Sequence, residues 1–341
     1  MQRCLQLGAL GGGSVAPNPM VGAVLVHQDR IIGEGYHRQY GEPHAEVNCI
    51  NNVAEEDYPL ISQSTLYVSL EPCSHFGKTP PCADLIIEKK IPRVVIACRD
   101  NYKEVNGQGI NRLTDAGIIV VEGVLEKEAR ELNKRFFTFH QLQRPYVILK
   151  WAQSNDHFIA GPEYSSVKIS NEYTNRLVHK WRSVEASILV GTNTALYDDP
   201  ALNTRLWTGK DPVRLVIDTE LKLPSSLQLF DKQVKTFVFN YIKREAHARL
   251  TFIQLNRDED MLEQIMKVLY EERMISVLIE GGAGLLGSFF TAGLWDEARV
   301  ITNKDLTIGN GKEAPQLKNA VLYHKSHYLN DEVSYYLHGV N

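Results

Sequence analysis

Four residues in the first part of the chain combine side-chain types and spacing that suit a catalytic zinc site. His44 and Glu46 are two residues apart, and Cys73 and Cys82 lie 27 and 36 positions after Glu46. A catalytic zinc commonly takes three protein ligands and keeps its fourth position for water. One imidazole and two thiolates would supply these ligands, and the remaining carboxylate is placed to carry the proton of that water. The four residues therefore predict zinc-assisted hydrolysis.

The order H-x-E, then P-C and a second Cys, is typical of zinc-dependent nucleobase deaminases, in which the Glu is the general acid/base and not a ligand. Two other interpretations stay open on the residues alone. A structural zinc site would need a fourth ligand, for which His75 is a candidate, or the site could be a metal-free core. The other three cysteines have no such partners and are expected to be small buried residues: Cys4, Cys49 and Cys98.

Eight residues separate Cys73 from Cys82, where the usual deaminase pattern has two. The inserted loop carries His75, Lys78 and Thr79, which offer an imidazole, a cation and a hydroxyl beside the metal. A free base would not need them, whereas a substrate with a phosphate would. An ordinary solvated loop is the alternative.

Composition restricts the class of protein. The 341 residues carry a net charge of -4, which argues against a nucleic-acid partner, and no apolar run is long enough for a membrane span. Five cysteines without disulfide-framework spacing suit a reducing compartment, and no signal-peptide core precedes the first helical pattern. We expect a cytoplasmic enzyme that acts on small molecules and forms a homo-oligomer.

Alternating elements must position the first site. A hairpin is predicted over 21–37, followed by strands at 65–69, 93–98 and 118–121 and helices from about 44, at 82–90 and at 107–116. This alternation indicates a three-layer αβα domain. A charged helix from Glu126 to about 140 ends before Pro145, which places the domain boundary near 143.

A second α/β pattern follows the boundary. It has strands at 146–152, 186–191, 213–218, 276–280 and 296–302, and helices at 171–183, 258–272 and 285–293. Residues 282–287 fit G-x-G-x-x-G between a strand and a helix, yet a Rossmann unit would need more chain after them. Residues 282–287 could still bind phosphate as part of another fold. For the polar loop around Asp198, an ordinary turn is the alternative interpretation.

The segments 14–22 (SVAPNPMVG), 33–37 (GEGYH), 41–46 (GEPHAE) and 70–82 (LEPCSHFGKTPPC) resemble the deaminase half of the bifunctional riboflavin-biosynthesis deaminase–reductase family. The resemblance implies a cytidine-deaminase-like three-layer αβα fold for 1–143. It also implies hydrolytic deamination of 2,5-diamino-6-(5-phosphoribosylamino)pyrimidin-4(3H)-one, with zinc on His44, Cys73 and Cys82 and with Glu46 catalytic. Substrate contacts are implied for Asn18, His37, His75, Lys78 and Asp100.

The segments 144–150 (RPYVILK), 154–156 (SND), 190–194 (VGTNT), 198–202 (DDPAL) and 279–282 (IEGG) resemble the reductase half. The resemblance implies a dihydrofolate-reductase-like α/β fold for 144–341 and NADPH-dependent reduction of the ribosyl group of 5-amino-6-(5-phosphoribosylamino)uracil. It implies catalytic assistance from Lys150, Asp198 and Glu280, and substrate contacts from Ser166, Arg182, Leu202, Arg205 and Glu280. Cofactor contacts are implied for Gln153, Lys168, Thr194, Asp198, Gly282, Ala283, Gly284, Leu285, Leu286, Gly287 and Ser288.

Several positions of the second domain depart from the family pattern, among them Gln153, His157 and Lys168. They motivate an alternative in which the protein is a deaminase only and its C-terminal domain binds nucleotide or acts as a scaffold. A nucleic-acid-editing deaminase is a third reading, and the acidic balance counts against it.

Overall fold

A computed structural model describes residues 1–76, 80–100 and 107–339. The chain divides into two compact units, Met1–Gln143 (the N-terminal unit) and Arg144–Asn341 (the C-terminal unit). Within the described residues, no helix is both long enough and apolar enough to cross a membrane.

The N-terminal unit is built on one sheet with the strand order β2-β1-β3-β4-β5. Its strands are β1 Gly22–His27, β2 Arg30–Tyr36, β3 Thr65–Val68, β4 Arg93–Ile96 and β5 Ile119–Val121. Its helices are α1 Gln2–Ala9, α2 Ala45–Asn51, α3 Cys82–Glu88, α4 Gln108–Asp115, α5 Glu126–Leu132 and α6 Lys134–Leu142, with a 3-10 helix at Glu55–Gln63. The hairpin β1–β2 and the β1–β3 pair are antiparallel, and β3, β4 and β5 run parallel.

Both faces of this sheet are covered by helices, because successive side chains of a strand point to opposite faces. On β1, Ala23 and Leu25 pack with α2, α3 and α4, whereas Val24 packs with α1 on the other side. Helices α5 and α6 cover the same second face near the ends of β3 and β4. The predicted three-layer αβα arrangement is confirmed.

The C-terminal unit contains a sheet with the strand order β11-β12-β10-β9-β8-β13-β6-β14-β17-β16. Its strands are β6 Tyr146–Ser154, β7 Phe158–Ala160, β8 Ser187–Gly191, β9 Val213–Ile217, β10 Thr236–Asn240, β11 Glu245–Ala246, β12 Leu250–Gln254, β13 Ser276–Ile279, β14 Glu297–Asn303, β15 Lys312–Glu313, β16 Ala320–Tyr328 and β17 Asp331–His338. Its helices are α7 Glu172–Val184, α8 Thr192–Asp198, α9 Met261–Glu271 and α10 Ala283–Ala292, with short 3-10 turns at Pro162–Tyr164 and Gln228–Phe230.

Parallel strands form the middle of this sheet, and their carboxyl ends meet at one edge. Helices α9 and α10 pack on one face of the sheet, and α7 and α8 pack on the other. In open α/β sheets, ligands bind outside the carboxyl ends of the strands. The ends of β6, β8 and β13 are therefore where this fold can hold a ligand.

Candidate active sites

The three predicted zinc ligands lie together in the N-terminal unit. His44 is the N-cap residue of α2, Cys82 is the first residue of α3, and Cys73 lies in the loop after β3. The His44 Nδ1 atom is 3.5 Å from Cys73 Sγ and 3.4 Å from Cys82 Sγ. Tetrahedral zinc with ordinary Zn–N and Zn–S bonds separates such ligand atoms by roughly 3.6 Å. The donor set and its spacing therefore fit zinc.

The start of α3 stabilises a thiolate at this cluster. The Cys82 backbone N–H donates to Cys73 Sγ over 3.3 Å. Hydrogen bonds from the Cys82 and His44 side chains, in that order, outweigh burial and lower the pKa of Cys73. A thiolate is the form of cysteine that binds metal, so the local backbone favours the liganding state.

Glu46 lies in the first turn of α2 and is only 3% exposed. Burial, reinforced by the charge on Cys73, raises the pKa of Glu46 to about 7. Its carboxyl group is not one of the three clustered donors, His44, Cys73 and Cys82. A buried carboxyl group beside a metal cluster, with a pKa near neutrality, suits a group that both accepts and returns a proton.

His37 and Asn18 form a hydrogen-bonded pair next to the cluster. The His37 ring is 5.3 Å from the His44 ring, and its Nδ1 atom is 3.1 Å from the Pro43 carbonyl oxygen. Burial lowers the pKa of His37, so the neutral imidazole donates from Nδ1 and accepts from the Asn18 amide at Nε2, over 3.2 Å. This arrangement fixes both side chains beside the metal ligands.

The loop between the cysteines is described only in part, and Lys78 lies outside the described residues. His75 Nδ1 and Ser74 Oγ are buried and have no hydrogen-bond partner in the described part of the chain. Asp100 is buried at the end of the segment after β4.

Glu71 has a structural role that sequence reasoning did not assign. Its carboxylate accepts four backbone N–H groups at 3.0 to 3.4 Å, from Asp100, Gly107, Gly109 and Ile110. Glu71 thus joins the segment before Cys73 to the start of α4. The motif L-E-P-C marks Glu71 as a residue close to Cys73. The N–H groups that it binds are distant in sequence, so the motif does not predict them.

A cavity of about 680 Å³ opens at the carboxyl ends of β6, β8 and β13 in the C-terminal unit. The predicted reductase residues that line it are Lys150, Ser166, Lys168, Arg182, Thr194, Asp198, Leu202, Glu280, Gly282, Ala283, Gly284 and Leu285. The structure therefore brings residues from β6, α7, α8 and the turn after β13 into one site.

A buried ion cluster lies in the wall of this cavity. Glu280 accepts two hydrogen bonds from the Arg182 guanidinium, at 2.9 and 2.8 Å, and Lys150 Nζ is 3.5 Å from the same carboxylate. Burial alone would raise the pKa of Glu280, but the two cations outweigh it and hold the pKa at about 2. Glu280 is therefore a fixed anion that orients Lys150 and Arg182.

Helix α8 and the loop after it also contribute to the lining of the cavity. The Gly282 N–H donates to Thr194 Oγ1 over 3.0 Å, which connects α8 to the N-terminus of α10. Burial raises the pKa of Asp198, and a hydrogen bond with Ser166 partly offsets this effect. Asp199 and Leu202 adopt left-handed backbone conformations, with φ of 37° for Asp199 and 47° for Leu202. Such strained residues are frequent at ligand sites.

Two family models match the chain in succession. The cytidine and deoxycytidylate deaminase zinc-binding region matches residues 1–98, and the RibD C-terminal domain matches residues 145–321. The riboflavin biosynthesis protein RibD of Aquifex aeolicus is 39% identical over 91% of this chain and 89% of its own length. The chain belongs to the RibD family. RibD of Bacillus amyloliquefaciens is 40% identical over 87% of this chain and 81% of its own length.

Solved structures of RibD proteins agree with this assignment. A deaminase/reductase from Thermotoga maritima, named for diaminohydroxyphosphoribosylaminopyrimidine and 5-amino-6-(5-phosphoribosylamino)uracil, superposes with a TM-score of 0.90 at 33% identity, covering 99% of this chain and 97% of that chain. Acinetobacter baumannii RibD superposes with a TM-score of 0.88 at 29% identity, covering 98% and 97%. The predicted fold class and the prediction of a bifunctional, zinc- and NADPH-dependent RibD enzyme of riboflavin biosynthesis are confirmed.

Some residues implied by the RibD resemblance do not line the cavity. Leu286 is fully buried in the hydrophobic core, and Gly287 and Ser288 lie further along α10. Arg205 is exposed and bonds to Asn203, and the Gln153 side chain is engaged by Trp151, His157 and Thr302. The structure also adds cavity-lining residues that the sequence did not single out, among them Tyr164, Tyr197 and Lys312.

Proposed function

We propose that the N-terminal unit removes the 2-amino group of 2,5-diamino-6-(5-phosphoribosylamino)pyrimidin-4(3H)-one by hydrolysis, and that the C-terminal unit reduces the ribosyl group of the product to a ribityl chain with NADPH. The observation that carries the proposal is the buried carboxyl group of Glu46 beside three metal-binding side chains. The substrate assignment is supported by the name of the Thermotoga maritima protein that this chain resembles.

In the first reaction, His44, Cys73 and Cys82 would hold zinc. Bound zinc lowers the pKa of water and makes it a nucleophile at neutral pH. Glu46 accepts the first proton of the attacking water and delivers it to the pyrimidine ring nitrogen. It then takes the proton of the hydroxyl group now on C2 and delivers that proton to the amino group, which leaves as ammonia when the C2–N bond breaks. Glu46 is buried in the first turn of α2, so little of its carboxyl group faces bulk solvent.

The neighbouring side chains position the substrate. The Asn18 amide, held by its hydrogen bond to His37, is oriented to bind the polar edge of the pyrimidine. His75 keeps a buried ring nitrogen without a partner in the described residues, so it can bond to a ribose or phosphate oxygen. Lys78 and Asp100 complete the proposed set of substrate contacts.

In the second reaction, the cavity would hold NADPH, whose chemistry when bound is hydride donation, here to C1′ of the ribosyl group. The C–O bond of the sugar ring breaks, and the ring oxygen must gain a proton to become a hydroxyl group. Lys150, Asp198 and Glu280 are the ionisable groups of the cavity that we propose assist this transfer. Arg182 is proposed to bind the substrate phosphate, together with the exposed Arg205.

Glu46→Gln tests the first half. We expect the variant to retain one zinc per chain but to lose deamination by at least about 100-fold, because an amide cannot carry the proton. Reduction of pre-deaminated substrate, followed as loss of NADPH absorbance, should be unchanged and serves as the internal control. Near-normal ammonia release by Glu46→Gln would show that another group moves the proton.

The comparisons favour the bifunctional enzyme over the alternative candidate, a deaminase whose C-terminal unit does not reduce. It is motivated by Gln153, whose side chain is turned to Trp151, His157 and Thr302, and by Lys168, which lines the cavity. Failure of the wild-type protein to oxidise NADPH with deaminated substrate would favour this candidate. The homo-oligomeric state and the cytoplasmic location stay predictions, and sedimentation of the purified protein tests the first.

A further inference from the structure

Two tyrosines stack on each other in the lining of the reductase cavity. The rings of Tyr164 and Tyr197 have centroids 5.6 Å apart and an interplanar angle of 4°. Both side chains line the cavity, yet they remain 42% and 54% exposed. Rings buried for core packing lose their solvent exposure, whereas these present a large π surface to the cavity and to solvent.

The backbone holds Tyr164 in this position at a cost. Glu163 and Tyr164 are consecutive non-glycine residues with left-handed φ values of 53° and 62°. Backbone hydrogen bonds between Gly161 and Ser165 and between Ser165 and Pro162 close this segment into a tight loop. Strain of this kind is often found at ligand clamps.

Positive charge surrounds the aromatic pair. Lys312 Nζ lies 6.0 Å from the Tyr164 ring centroid, because Lys312 on β15 pairs with Ala160 on β7, just before the tyrosine loop. Lys168 also lines the cavity, and neither lysine forms an ion pair within the described residues. Four cationic and two carboxylate side chains line the whole cavity, which suits an anionic ligand.

The position of Tyr197 favours the cofactor over the pyrimidine substrate. Tyr197 lies three residues after Thr194 on α8, so the two side chains are neighbours on one helix face. Thr194 contacts the N-terminus of α10, where backbone N–H groups suit a pyrophosphate. The proposed site for the substrate phosphate is instead at Arg182.

We propose that Tyr164 and Tyr197 form an aromatic subsite that stacks with a heterocyclic ring of the dinucleotide cofactor, with Lys168 and Lys312 beside its phosphate groups. Such a subsite requires a ligand with a planar heterocycle and a phosphate group. The pyrimidine nucleotide substrate also has both, so the test must distinguish it from the cofactor. The inference rests on the proposed reductase function. The proposal adds Tyr164 and Tyr197 to the cofactor contacts that the sequence resemblance had implied.

Calorimetric titration of the full-length protein with NADP+ tests the subsite. Tyr164→Ala and Tyr197→Ala should each raise the Kd by about 10-fold, as base–aromatic stacking predicts. Tyr164→Phe and Tyr197→Phe should bind like wild type, because the ring face is retained. Tyr173→Ala is the matched control: this tyrosine is 47% exposed and is not among the residues lining the cavity.

Steady-state kinetics separate a binding role from a general loss of structure. The Ala variants should raise KM for NADPH while leaving kcat and KM for the deaminated pyrimidine nucleotide near wild type. Equal NADP+ binding by wild type and the Ala variants would overturn the aromatic subsite but not the reductase function. A rise confined to the KM for the pyrimidine nucleotide would do the same. Absence of NADP+ binding by the wild-type protein would overturn the reductase function itself.

Discussion

At the scale of single residues, Glu280 determines the electrostatics of the reductase cavity. Its carboxylate is 10% exposed and contacts both Arg182 and Lys150, whose side chains are 11% and 13% exposed. Burying one cation without a counter-charge is costly, so this anion allows two cations to remain at the site. Burial lowers the pKa of Lys150, and the negative charge of Glu280 opposes that shift. The Glu280 carboxylate therefore favours the charged form of Lys150.

Glu280→Gln should destabilise the C-terminal unit by roughly 3 kcal/mol at pH 7, because it leaves two buried cations unpaired. The pKa of Glu280 is about 2, below the ordinary value near 4.3, so its stabilising effect is present above about pH 4.3 and is lost as the pH falls toward 2. The difference in unfolding free energy between wild type and variant should therefore narrow between pH 5 and pH 3, by about 2 kcal/mol or less.

Urea unfolding followed by tryptophan fluorescence measures the unfolding free energy of the C-terminal unit, because all four tryptophans lie within 144–341. Glu272→Gln is the control, since Glu272 forms a half-exposed pair with Lys235 and should change stability by less than about 1 kcal/mol. A Glu280→Gln variant as stable as this control would show that the cluster does not need its anion.

At the scale of elements, helix α4 is held against the segment that carries Cys73. Gly109 lies in the first turn of α4, and a Cβ atom added there would come within 1.9 Å of the Pro72 carbonyl oxygen. The same backbone receives the Glu71 carboxylate, which accepts from the Gly109 N–H. The position of one zinc ligand thus depends on the close approach of two backbones.

Gly109→Ala should weaken zinc binding and deamination by about 10–100-fold, the range typical of losses in the shell that supports metal ligands. The added methyl group cannot fit unless the Pro72 backbone, next to Cys73, and the start of α4 move apart. Gly287→Ala is the matched control, because nothing lies within 4 Å of a Cβ at that helical glycine. Zinc content and ammonia release measured together test the effect, and full zinc occupancy in Gly109→Ala would contradict it.

Sequence patterns predicted the elements that position the zinc site, including the hairpin and the starts of α2 and α3, because local signals specify them. They predicted one helix from Glu126 to about 140, whereas the structure has α5 and α6 with a break at Asn133. The reason is distant in sequence: the Asn133 side chain bonds to the Met20 backbone N–H and carbonyl. The strands β10, β12, β16 and β17 were also missed; for β16 the reason is that it is an exposed edge strand without a buried alternating face.

The same distinction applies to the two sites. The zinc ligands and Glu46 could be predicted because their order and spacing form a specific motif. Arg182 and Glu280 were implied one by one by the family resemblance, and their ion pair, whose members are 98 residues apart, was not predicted. The stacking of Tyr164 on Tyr197 joins the turn Pro162–Tyr164 to helix α8, and only the folded chain brings these two segments together. Contacts between distant segments are what sequence patterns leave unspecified.

At the scale of the whole molecule, each unit has hydrophobic clusters of its own. Removing zinc with a chelator should therefore abolish deamination while leaving NADPH-dependent reduction of deaminated substrate within about 2-fold of its original rate, because the metal stabilises only the fold that binds it. The tryptophan-monitored urea midpoint should also stay unchanged. Addition of zinc should restore ammonia release, which excludes irreversible damage. Parallel loss of both activities on chelation would show that the C-terminal unit depends on the metal-bound state of the N-terminal one.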